Sequence, residues 1–382
     1  MLYRKFGKTG EMVSALGFGC MRLPVIGGDP TQIDEEQATK MIRYAIDAGV
    51  NYVDTAYPYH GNGFNQGGAS EPFVAKALKE GYRERVKLAT KLPSWLVKTR
   101  SDMDKFLNEQ LERLETDTID FYLVHTLNKS LWPLVKENGV FEFLNRAIQA
   151  GKIRYAGFSF HDQVGLFKEI VDAYEWSICQ IQYNYLDENY QAGREGLEYA
   201  ARKGMGVAIM EPLRGGKIVN LPQVAKAILN RAEVQRSTAE WGLRWVWNHP
   251  EVSVVLSGMS TLEQVVENIK IAGEAEAHSL SAKETGLIEE VKNLFMEKVK
   301  VNCTACSYCM PCPAGINIPN CFSAYNEHWV FDGAPEARES YAVTAKLAAP
   351  VSKCVECGQC ESHCPQGIAI REELKRVKEL FE

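Results

Sequence analysis

Residues 34–54 read DEEQATKMIRYAIDAGVNYVD, which predicts one amphipathic helix followed by one buried strand. Asp34 and Gln37 resemble a capping box at the start of the helix, and apolar residues then recur at helical spacing. Gly49 occupies the position of the C′ glycine that commonly ends a helix. The apolar run Tyr52–Asp54 follows at once and predicts a strand. The helix and the strand together form one unit of a repeating pattern.

Short apolar runs alternate with longer amphipathic stretches from the start of the chain to about residue 300, as in βα units around a parallel sheet. The candidate strands are Ser14–Phe18, Tyr52–Asp54, Val86–Thr90, Phe121–Val124, Tyr155–Phe158, Ile178–Ile181, Gly206–Ile209 and Val252–Leu256. A second capping box, Ser260 with Glu263, precedes the apolar positions Val265, Val266 and Ile269. These units predict an α/β chain folded as a (β/α)8 TIM barrel. A doubly wound dinucleotide-binding sheet is the rival, but Gly17-Phe-Gly19 lacks the third glycine of its fingerprint.

Polar residues stand where several of these strands end, and the C-terminal strand ends carry the chemistry in such barrels. Asp54 ends the second strand, Lys91 follows the third, and His125 ends the fourth. Tyr59 lies in the loop after Asp54. Each residue taken singly also fits an ordinary structural role. Because adjacent strands hold them at similar height, we expect the four side chains to converge on one pocket.

One mechanism uses all four of these side chains. A lysine ammonium beside a tyrosine stabilises the phenolate, and an aspartate holds the lysine in place. The tyrosine can then protonate an alkoxide near neutral pH, while the histidine orients the carbonyl oxygen and shares its developing charge. The set therefore predicts proton transfer to a carbonyl oxygen.

Several stretches of residues 1–299 match the motifs of one protein family. They are Tyr3–Gly10, Asp54–Tyr59, Thr90–Lys91, Asp120–His125, Gly157–Ser159, Gln180–Asn184, Ser257–Gly258 and Glu267–Asn268. On these stretches the chain resembles the aldo/keto reductases. The resemblance implies a catalytic tetrad of Asp54, Tyr59, Lys91 and His125, with Tyr59 as the proton donor. It also implies an extended nicotinamide cofactor, NADP(H) or NAD(H), across the mouth of the barrel.

The resemblance also implies the cofactor contacts. Ser159 and Gln182 would hold the carboxamide, Met210 would face the nicotinamide ring, and Leu213 and its neighbours would cover the pyrophosphate. The adenosine phosphate end would be held by residues of the last strand end and the helix that follows it: Ser257, Gly258, Met259, Ser260, Gln264 and Asn268. The helix that starts near Ser260 would turn free N–H groups toward phosphate.

Three departures from the family pattern limit these assignments. Phe160 follows Ser159 where many members have asparagine, which removes one amide contact to the nicotinamide. Met210 stands where a stacking aromatic is common, so any stacking must come from its thioether. No lysine or arginine lies between Ser257 and Asn268, where many NADPH-preferring members carry a basic residue. A preference for NADPH over NADH is therefore only the family's default.

Eight of the eleven cysteines form two runs near the C-terminus. The second run, Cys354, Cys357, Cys360 and Cys364 before Pro365, fits the C-x2-C-x2-C-x3-C-P pattern of bacterial two-cluster ferredoxins. The first run, Cys303, Cys306, Cys309 and Cys312, is one residue short before its last cysteine but keeps the following proline. Zinc sites use pairs of cysteines rather than triplets with a trailing Cys-Pro, and disulfides do not suit a chain that reads as cytoplasmic. The runs therefore predict two 4Fe-4S clusters.

The ligand assignment follows the ferredoxin pattern, in which the fourth cysteine of each run reaches the other cluster. Cys303, Cys306 and Cys309 then pair with Cys364, and Cys354, Cys357 and Cys360 pair with Cys312. Cys321 is the alternative to Cys312, because the first run is shortened. Cys20 and Cys179 read as core residues.

The cysteine runs lie in a tail that we predict to be a separate domain, with residues 1–299 as the barrel and 300–382 as a small, mainly helical ferredoxin-like domain. Helical composition in Pro319–Val330, Ala334–Leu347 and Arg371–Glu382 supports the helical type. Aldo/keto reductase barrels with such tails form a subgroup that this chain resembles.

The overall composition bounds the partners. A net charge of -6 and the lack of a basic run argue against nucleic acid or an anionic membrane as partner. With 46% hydrophobic and 24% charged residues the chain reads as an ordinary globular protein, and it contains no leader and no apolar stretch long enough to span a bilayer. We expect a cytoplasmic protein that acts on a small carbonyl compound. The one macromolecular partner that we consider possible is a redox protein.

Three functions fit these observations, because a nicotinamide delivers two electrons as hydride whereas cubane clusters pass them singly. In the first, the chain is a carbonyl reductase whose clusters stabilise the tail or sense redox state. In the second, the tail exchanges electrons with an external carrier. In the third, the barrel is a cofactor-binding module that positions the tail for a partner. A complete tetrad favours the first, since a binding module needs no proton donor.

Overall fold

The computed structural model describes residues 1–274, 276–303, 305, 308–364 and 366–382. In this part of the chain the strands are β1 Tyr3–Lys5, β2 Met12–Ser14, β3 Leu16–Gly19, β4 Tyr52–Asp54, β5 Lys87–Leu92, β6 Ile119–Leu127, β7 Ile153–Phe160, β8 Ile178–Gln182, β9 Gly206–Met210 and β10 Val254–Ser257. The helices are α1 Glu35–Asp47, α2 Ser70–Ala77, α3 Arg100–Arg113, α4 Leu131–Glu137, α5 Val140–Gln149, α6 Val164–Asp172, α7 Gly193–Arg202, α8 Gln223–Leu229, α9 Thr238–Trp247, α10 Leu262–Ala272, α11 Ala282–Lys298, α12 Ile318–Val330, α13 Pro335–Leu347, α14 Gln359–Ser362 and α15 Ile370–Phe381.

Strands β3 to β10 form a closed barrel in chain order, with β10 pairing back onto β3. Every pairing in this barrel is parallel, and at least one helix follows each of its strands. The predicted (β/α)8 barrel is therefore confirmed. Each candidate strand coincides with a barrel strand, and its ends differ from the prediction by no more than three residues.

The bottom of the barrel is closed by a hairpin that the sequence reading did not identify. β1 and β2 pair antiparallel ahead of the first barrel strand. Between them, the fully buried ring of Phe6 contacts Tyr52 and Phe121 at centroid distances of 5.5 and 4.8 Å. Gly206 allows this contact, because a Cβ there would lie 2.2 Å from the Phe6 ring. Phe6 thus fills the N-terminal end of the barrel, and chemistry is confined to the opposite end.

Two helix starts test the capping predictions. The Asp34 side chain accepts a hydrogen bond from the Gln37 N–H, and α1 begins one residue after Asp34, as predicted. Gly49 has φ +98, which suits a C′ glycine. The second box was placed one residue too early. Thr261 caps α10 by accepting from the Gln264 N–H, and the Gln264 side chain accepts from the Ser260 N–H at 2.8 Å.

The described chain divides into two compact units. The first comprises Met1–Gly216 and Ala239–Ser281 and contains the barrel. The second comprises Lys217–Thr238 and Ala282–Glu382, so it includes α8 and α11 as well as the cysteine-rich tail. The predicted domain boundary after residue 299 stays a prediction.

The second unit has its own apolar core. Buried residues of α12, α13 and α15 form it, among them Phe322, Tyr341 and Val377. These helices coincide with the three stretches predicted to be helical in the tail, within one residue at each end. Along the described chain, no helix combines the length and the apolar character needed to cross a membrane.

Candidate active site

The register of the barrel brings three of the predicted catalytic residues onto its inner face. Asp54 pairs with Ala89 across β4 and β5, and Lys91 pairs with Leu123 across β5 and β6. Lys91 therefore lies two residues beyond Ala89 toward the C-terminal end of β5, and His125 lies two residues beyond Leu123 toward the C-terminal end of β6. Since Ala89 and Leu123 belong to the barrel core, side chains two residues further along point inward as well.

Lys91 and Asp54 form a buried ion pair. The Lys91 Nζ lies 2.9 and 2.7 Å from the two Asp54 carboxylate oxygens and donates a third hydrogen bond to the Thr55 carbonyl at 2.8 Å. Lys91 is fully buried and Asp54 is 3% exposed. Burial acts to lower the pKa of Lys91, but the Asp54 carboxylate and Tyr59 outweigh it and hold that pKa above its usual value. Lys91 is therefore a permanent cation at the centre of the site.

Tyr59 lies beside this cation. The Lys91 Nζ is 5.1 Å from the centroid of the Tyr59 ring. Burial raises the pKa of Tyr59, and the Lys91 charge opposes that rise, as expected for a cation that stabilises a phenolate. The site thus contains a phenol with a cation placed to stabilise its deprotonated form.

His125 completes the predicted tetrad. Its ring contacts Tyr59 edge-on at a centroid distance of 6.3 Å and packs against Trp95 at 5.3 Å. Burial, the Lys91 charge and His161 lower the pKa of His125 well below its usual value, so the imidazole is neutral at physiological pH. Its Nδ1 is buried and has no hydrogen-bond partner among the described residues. The structure therefore brings all four predicted catalytic residues together.

The next polar groups lie on β7, β8 and β9. Ser159 is 2% exposed, and its hydroxyl oxygen accepts from the Thr126 N–H at 2.7 Å. The Gln182 amide already donates to Asp187 at 2.9 Å. Gln180, which the sequence reading quoted but did not assign, is 2% exposed and has a buried carbonyl oxygen without a partner among the described residues. Its Nε2 lies 3.7 Å from the Met210 sulfur. The alternation of side chains along β8 could have identified Gln180, because residues two apart in a strand point to the same face and Gln182 was predicted to face the cofactor.

The residues predicted for the adenosine phosphate end cluster at the start of α10. Asn268 donates to the Ser257 hydroxyl at 3.0 Å, and both side chains are buried. Met259 is buried between them in the chain, whereas Gly258 and Gln264 are exposed. The structure therefore groups the predicted residues around one helix N-terminus.

Arg22, in the loop after β3, reaches this region although the sequence reading did not select it. The Ser260 hydroxyl donates to the Arg22 carbonyl at 2.7 Å. A Cβ atom at Gly258 would lie 3.2 Å from three carbons of the Arg22 side chain. A Cβ atom at Gly215 would lie 3.3 Å from the Arg22 Nη2. The guanidinium therefore lies at Gly215, two residues after Leu213, while its stem crosses Gly258. No spacing rule connects residues so far apart in the chain.

Seven of the eight predicted cluster ligands lie in the described part of the chain. Six of them pack against the core of the second unit: Cys303, Cys309, Cys312, Cys354, Cys360 and Cys364. Cys357 is exposed, and Cys306 lies outside the described residues. Burial raises the pKa of Cys360, and the Coulombic influence of Cys312 adds to that rise. The donor set of thiols suits iron–sulfur clusters. Within the described residues, no three Cys, His, Asp or Glu side chains lie close enough to hold one metal ion.

The remaining cysteines are buried thiols. Cys20 and Cys179 are fully buried in the barrel unit, as predicted for core residues. Cys321 is fully buried in α12, where burial and the Glu382 carboxylate raise its pKa to about 12. The pKa of Cys321 is thus influenced by the Glu382 side chain, whereas Cys312 influences the pKa of Cys360 in the second run.

Two family models match successive parts of the chain. The model of the aldo/keto reductase family matches residues 15–293, and that of a 4Fe-4S dicluster domain matches residues 302–369. The chain is 29% identical to L-galactose dehydrogenase of Arabidopsis thaliana over 76% of this chain and 95% of that protein. It is 27% identical to 6-dehydroglucose reductase of Novosphingobium aromaticivorans over 69% of this chain and 88% of that protein.

A solved structure gives the same result for the barrel. The holo form of the aldo-keto reductase AKR11C1 from Bacillus halodurans is 27% identical to this chain. It superposes with a TM-score of 0.62 over 76% of this chain and 96% of its own.

Proposed function

Since this chain belongs to the aldo/keto reductase family and carries a 4Fe-4S dicluster domain, we propose that its barrel reduces a carbonyl substrate with NADPH or NADH, and that Tyr59 donates the proton. The observation that carries the proposal is the buried Lys91–Asp54 ion pair beside the Tyr59 ring. A buried charge that only stabilised the fold is readily replaced by apolar residues, so a pair placed beside a phenol supports a chemical role.

The residues of the tetrad then have separate tasks. Tyr59 moves its proton to the substrate oxygen, and Lys91 stabilises the phenolate that remains. Asp54 keeps Lys91 in place. His125 is neutral, so it orients the carbonyl oxygen by a hydrogen bond without competing as an acid. When bound, the nicotinamide supplies the hydride that completes the reduction.

The chain offers groups that fit a nicotinamide cofactor. Ser159 and Gln182 remain the proposed carboxamide contacts, and the unpartnered carbonyl oxygen of Gln180 supports adding that residue. Leu213 and Met210 would line the groove between these groups and the phosphates. Arg22 supplies the positive charge that residues 257–268 lack, and its position at Gly215 supports a contact with the pyrophosphate.

The substrate is proposed to be a small hydroxylated carbonyl compound. Two relatives are named for sugar chemistry, an L-galactose dehydrogenase and a 6-dehydroglucose reductase. In this chain Trp95 packs on His125 and donates through its indole N–H to the Phe64 carbonyl at 3.0 Å, and the Phe64 ring is 70% exposed. An exposed phenylalanine ring and a partly buried indole next to polar groups suit a ligand with an apolar face and a hydroxylated edge.

Substitution of the proton donor and of its cation tests the proposal. We expect Tyr59→Phe and Lys91→Met to lower kcat for aldehyde reduction by on the order of 100-fold or more, because both remove the proton transfer. Cofactor affinity, measured by protein fluorescence, should change little. Tyr44→Phe and Lys40→Met on the outer face of α1 serve as matched controls. Unchanged turnover in either tetrad variant would contradict the assignment.

A second function has support from the tail. Cys357 is exposed, and the neighbouring Val355 is 69% exposed, so the second run of cysteines lies open to a redox partner. Anaerobic mixing with NADPH or NADH distinguishes the two functions by visible bleaching and by the EPR signal of reduced clusters. Reduction of the clusters favours electron exchange with an external carrier. Oxidised clusters during aldehyde turnover favour a reductase whose tail has a separate use.

A further inference from the structure

A buried carboxylate outside the tetrad joins two of its members. Glu71, at the start of α2, has no exposed surface. One oxygen accepts from the Thr90 hydroxyl at 2.7 Å and from the Gln110 amide at 2.6 Å, and the other accepts from the Arg113 Nε at 2.8 Å. Burial raises the pKa of Glu71, and Arg113, Gln110 and Thr90 oppose that rise. The free-energy cost of burying the Glu71 charge is therefore offset by hydrogen bonds from three side chains, Thr90, Gln110 and Arg113.

On one side, these neighbours fix the strand that carries Lys91. Thr90 directly precedes Lys91 in β5, and its hydroxyl is bound to Glu71. The Gln110 amide also donates to the Lys91 carbonyl at 3.1 Å. Gln110 is itself held by the Tyr122 hydroxyl at 2.7 Å. The backbone of Lys91 is thus tied to Glu71 through two side chains.

On the other side, the same carboxylate fixes the loop that carries Tyr59. Arg113, paired with Glu71, donates a hydrogen bond to the Gly68 carbonyl. Gly68 packs directly on the Tyr59 backbone, because a Cβ at Gly68 would lie 2.0 Å from the Tyr59 carbonyl oxygen. The Ser70 N–H, one residue before Glu71, donates to that same oxygen at 3.2 Å. The loop and the strand therefore meet at Glu71.

We propose that Glu71 is a positioning residue, which sets the separation between the Tyr59 phenol and the Lys91 ammonium by joining the loop of one to the strand of the other. The inference rests on the proposed roles of Tyr59 and Lys91. A misplacement of about 1 Å at a reacting group can cost on the order of 100-fold in rate, so a shift of this loop affects catalysis without removing any group that touches substrate.

The test compares Glu71→Gln with Asp120→Asn. Asp120 is a matched control because it is also a buried carboxylate that binds both β5, through the Leu88 N–H at 2.9 Å, and an arginine, Arg83 at 2.9 Å. It lies at the opposite end of the barrel strands. We expect Glu71→Gln to lower kcat about 10-fold to 100-fold with KM and cofactor affinity nearly unchanged. Its solvent deuterium isotope effect on kcat should rise, since proton transfer becomes slower. Asp120→Asn should change neither value.

A second measurement does not depend on turnover. Protein labelled with 3-fluorotyrosine gives a 19F signal for Tyr59, which is assigned by its absence in Tyr59→Phe. Glu71→Gln should move the chemical shift and the titration of this signal, and Asp120→Asn should leave both unchanged. If the wild-type protein reduces no carbonyl compound, the proposed function fails, and the 19F titration still decides whether Glu71 positions Tyr59.

Arg113→Lys covers the case in which Glu71→Gln does not fold. It keeps a positive charge beside Glu71 but lacks the planar fork that spans the carboxylate and the Gly68 carbonyl. We expect the same fall in kcat and the same change in the Tyr59 signal. The proposal is overturned if folded Glu71→Gln or Arg113→Lys retains the wild-type kcat, isotope effect and 19F titration.

Discussion

The Lys91 ammonium contacts several groups of the proposed active site. Asp54 accepts two of its hydrogen bonds and the Thr55 carbonyl accepts a third, and Lys91 also acts on Tyr59 through its charge and a side-chain hydrogen bond. Both interactions oppose the rise that burial causes in the pKa of Tyr59. The same charge helps to keep His125 neutral. Burial is the largest influence on the pKa of Tyr59 and on that of His125, and the Lys91 cation acts to lower both values.

His60 shows how strongly the neighbourhood of Tyr59 depends on one protonation state. Its Nδ1 donates to the Pro30 carbonyl at 2.8 Å, and its Nε2 accepts from the Leu23 N–H at 3.3 Å. Only the neutral imidazole can serve both partners, because a second proton on Nε2 would face the Leu23 N–H. The histidine next to Tyr59 in the chain therefore ties the Tyr59 loop to the loop after β3.

This arrangement predicts a loss of stability in acid. Burial lowers the pKa of His60, against a smaller opposing effect of the Pro30 carbonyl. The unfolded chain protonates this imidazole below about pH 6.5 whereas the folded chain resists it, so stability is lost as the pH falls below that value. We expect the Tm to fall less between pH 7 and pH 5 in His60→Gln than in the wild type. His278→Gln, at an exposed position, should match the wild type; equal slopes in all three proteins would refute the role of His60.

At the scale of elements, the loops after β3, β9 and β10 bring together groups that are far apart in the chain. Arg22 comes from the first loop, Gly215 from the second and Gly258 from the third. Glycine at the latter two positions leaves room for the arginine side chain. The cation of the proposed phosphate site is therefore supplied by a loop other than the one that family motifs indicate.

Arg22→Gln tests this arrangement. Because the guanidinium lies at Gly215, on the proposed pyrophosphate side, we expect the substitution to weaken binding of NADPH and NADH alike, by about tenfold, as for the loss of one charge-assisted hydrogen bond. Fluorescence titration gives both affinities, with Arg85→Gln as a control on an exposed arginine. Weaker binding of NADPH alone would assign Arg22 to the 2′-phosphate instead, and no change would exclude it from the site.

The elements that the sequence predicts well are those with a local signal. Apolar runs located every barrel strand, and Asp34 with Gly49 bounded α1, because caps and strand burial depend on adjacent residues. The hairpin that carries Phe6 was missed, since its first strand, Tyr3–Lys5, contains no apolar run. Arg22 and Glu71 were missed for another reason. Their importance comes from neighbours in space, and only the closed barrel brings those neighbours together.

At the scale of the whole molecule, the proposal that Cys312 rather than Cys321 is a cluster ligand predicts the iron content of two variants. Cys312 packs against the core of the second unit and influences the pKa of Cys360, whereas Cys321 is buried within that core and its pKa is influenced by Glu382. We expect anaerobically purified Cys321→Ala to keep about eight iron atoms per chain and Cys312→Ala to lose about half of them, or to show a three-iron EPR signal, because one cubane lacks a ligand. Iron analysis with EPR makes the comparison. The reverse result would assign Cys321 as the ligand.

The described chain passes between its two compact units at residues 216–217, 238–239 and 281–282. A graft of residues 300–382 onto another barrel would therefore leave α8 and α11, which belong to the same compact unit, on the donor. The cluster-bearing tail is not a cassette joined by a single linker. A chimera that is meant to carry it must also import Lys217–Thr238 and the segment from Ala282 onward, so exchange of this module between reductases requires three splice points rather than one.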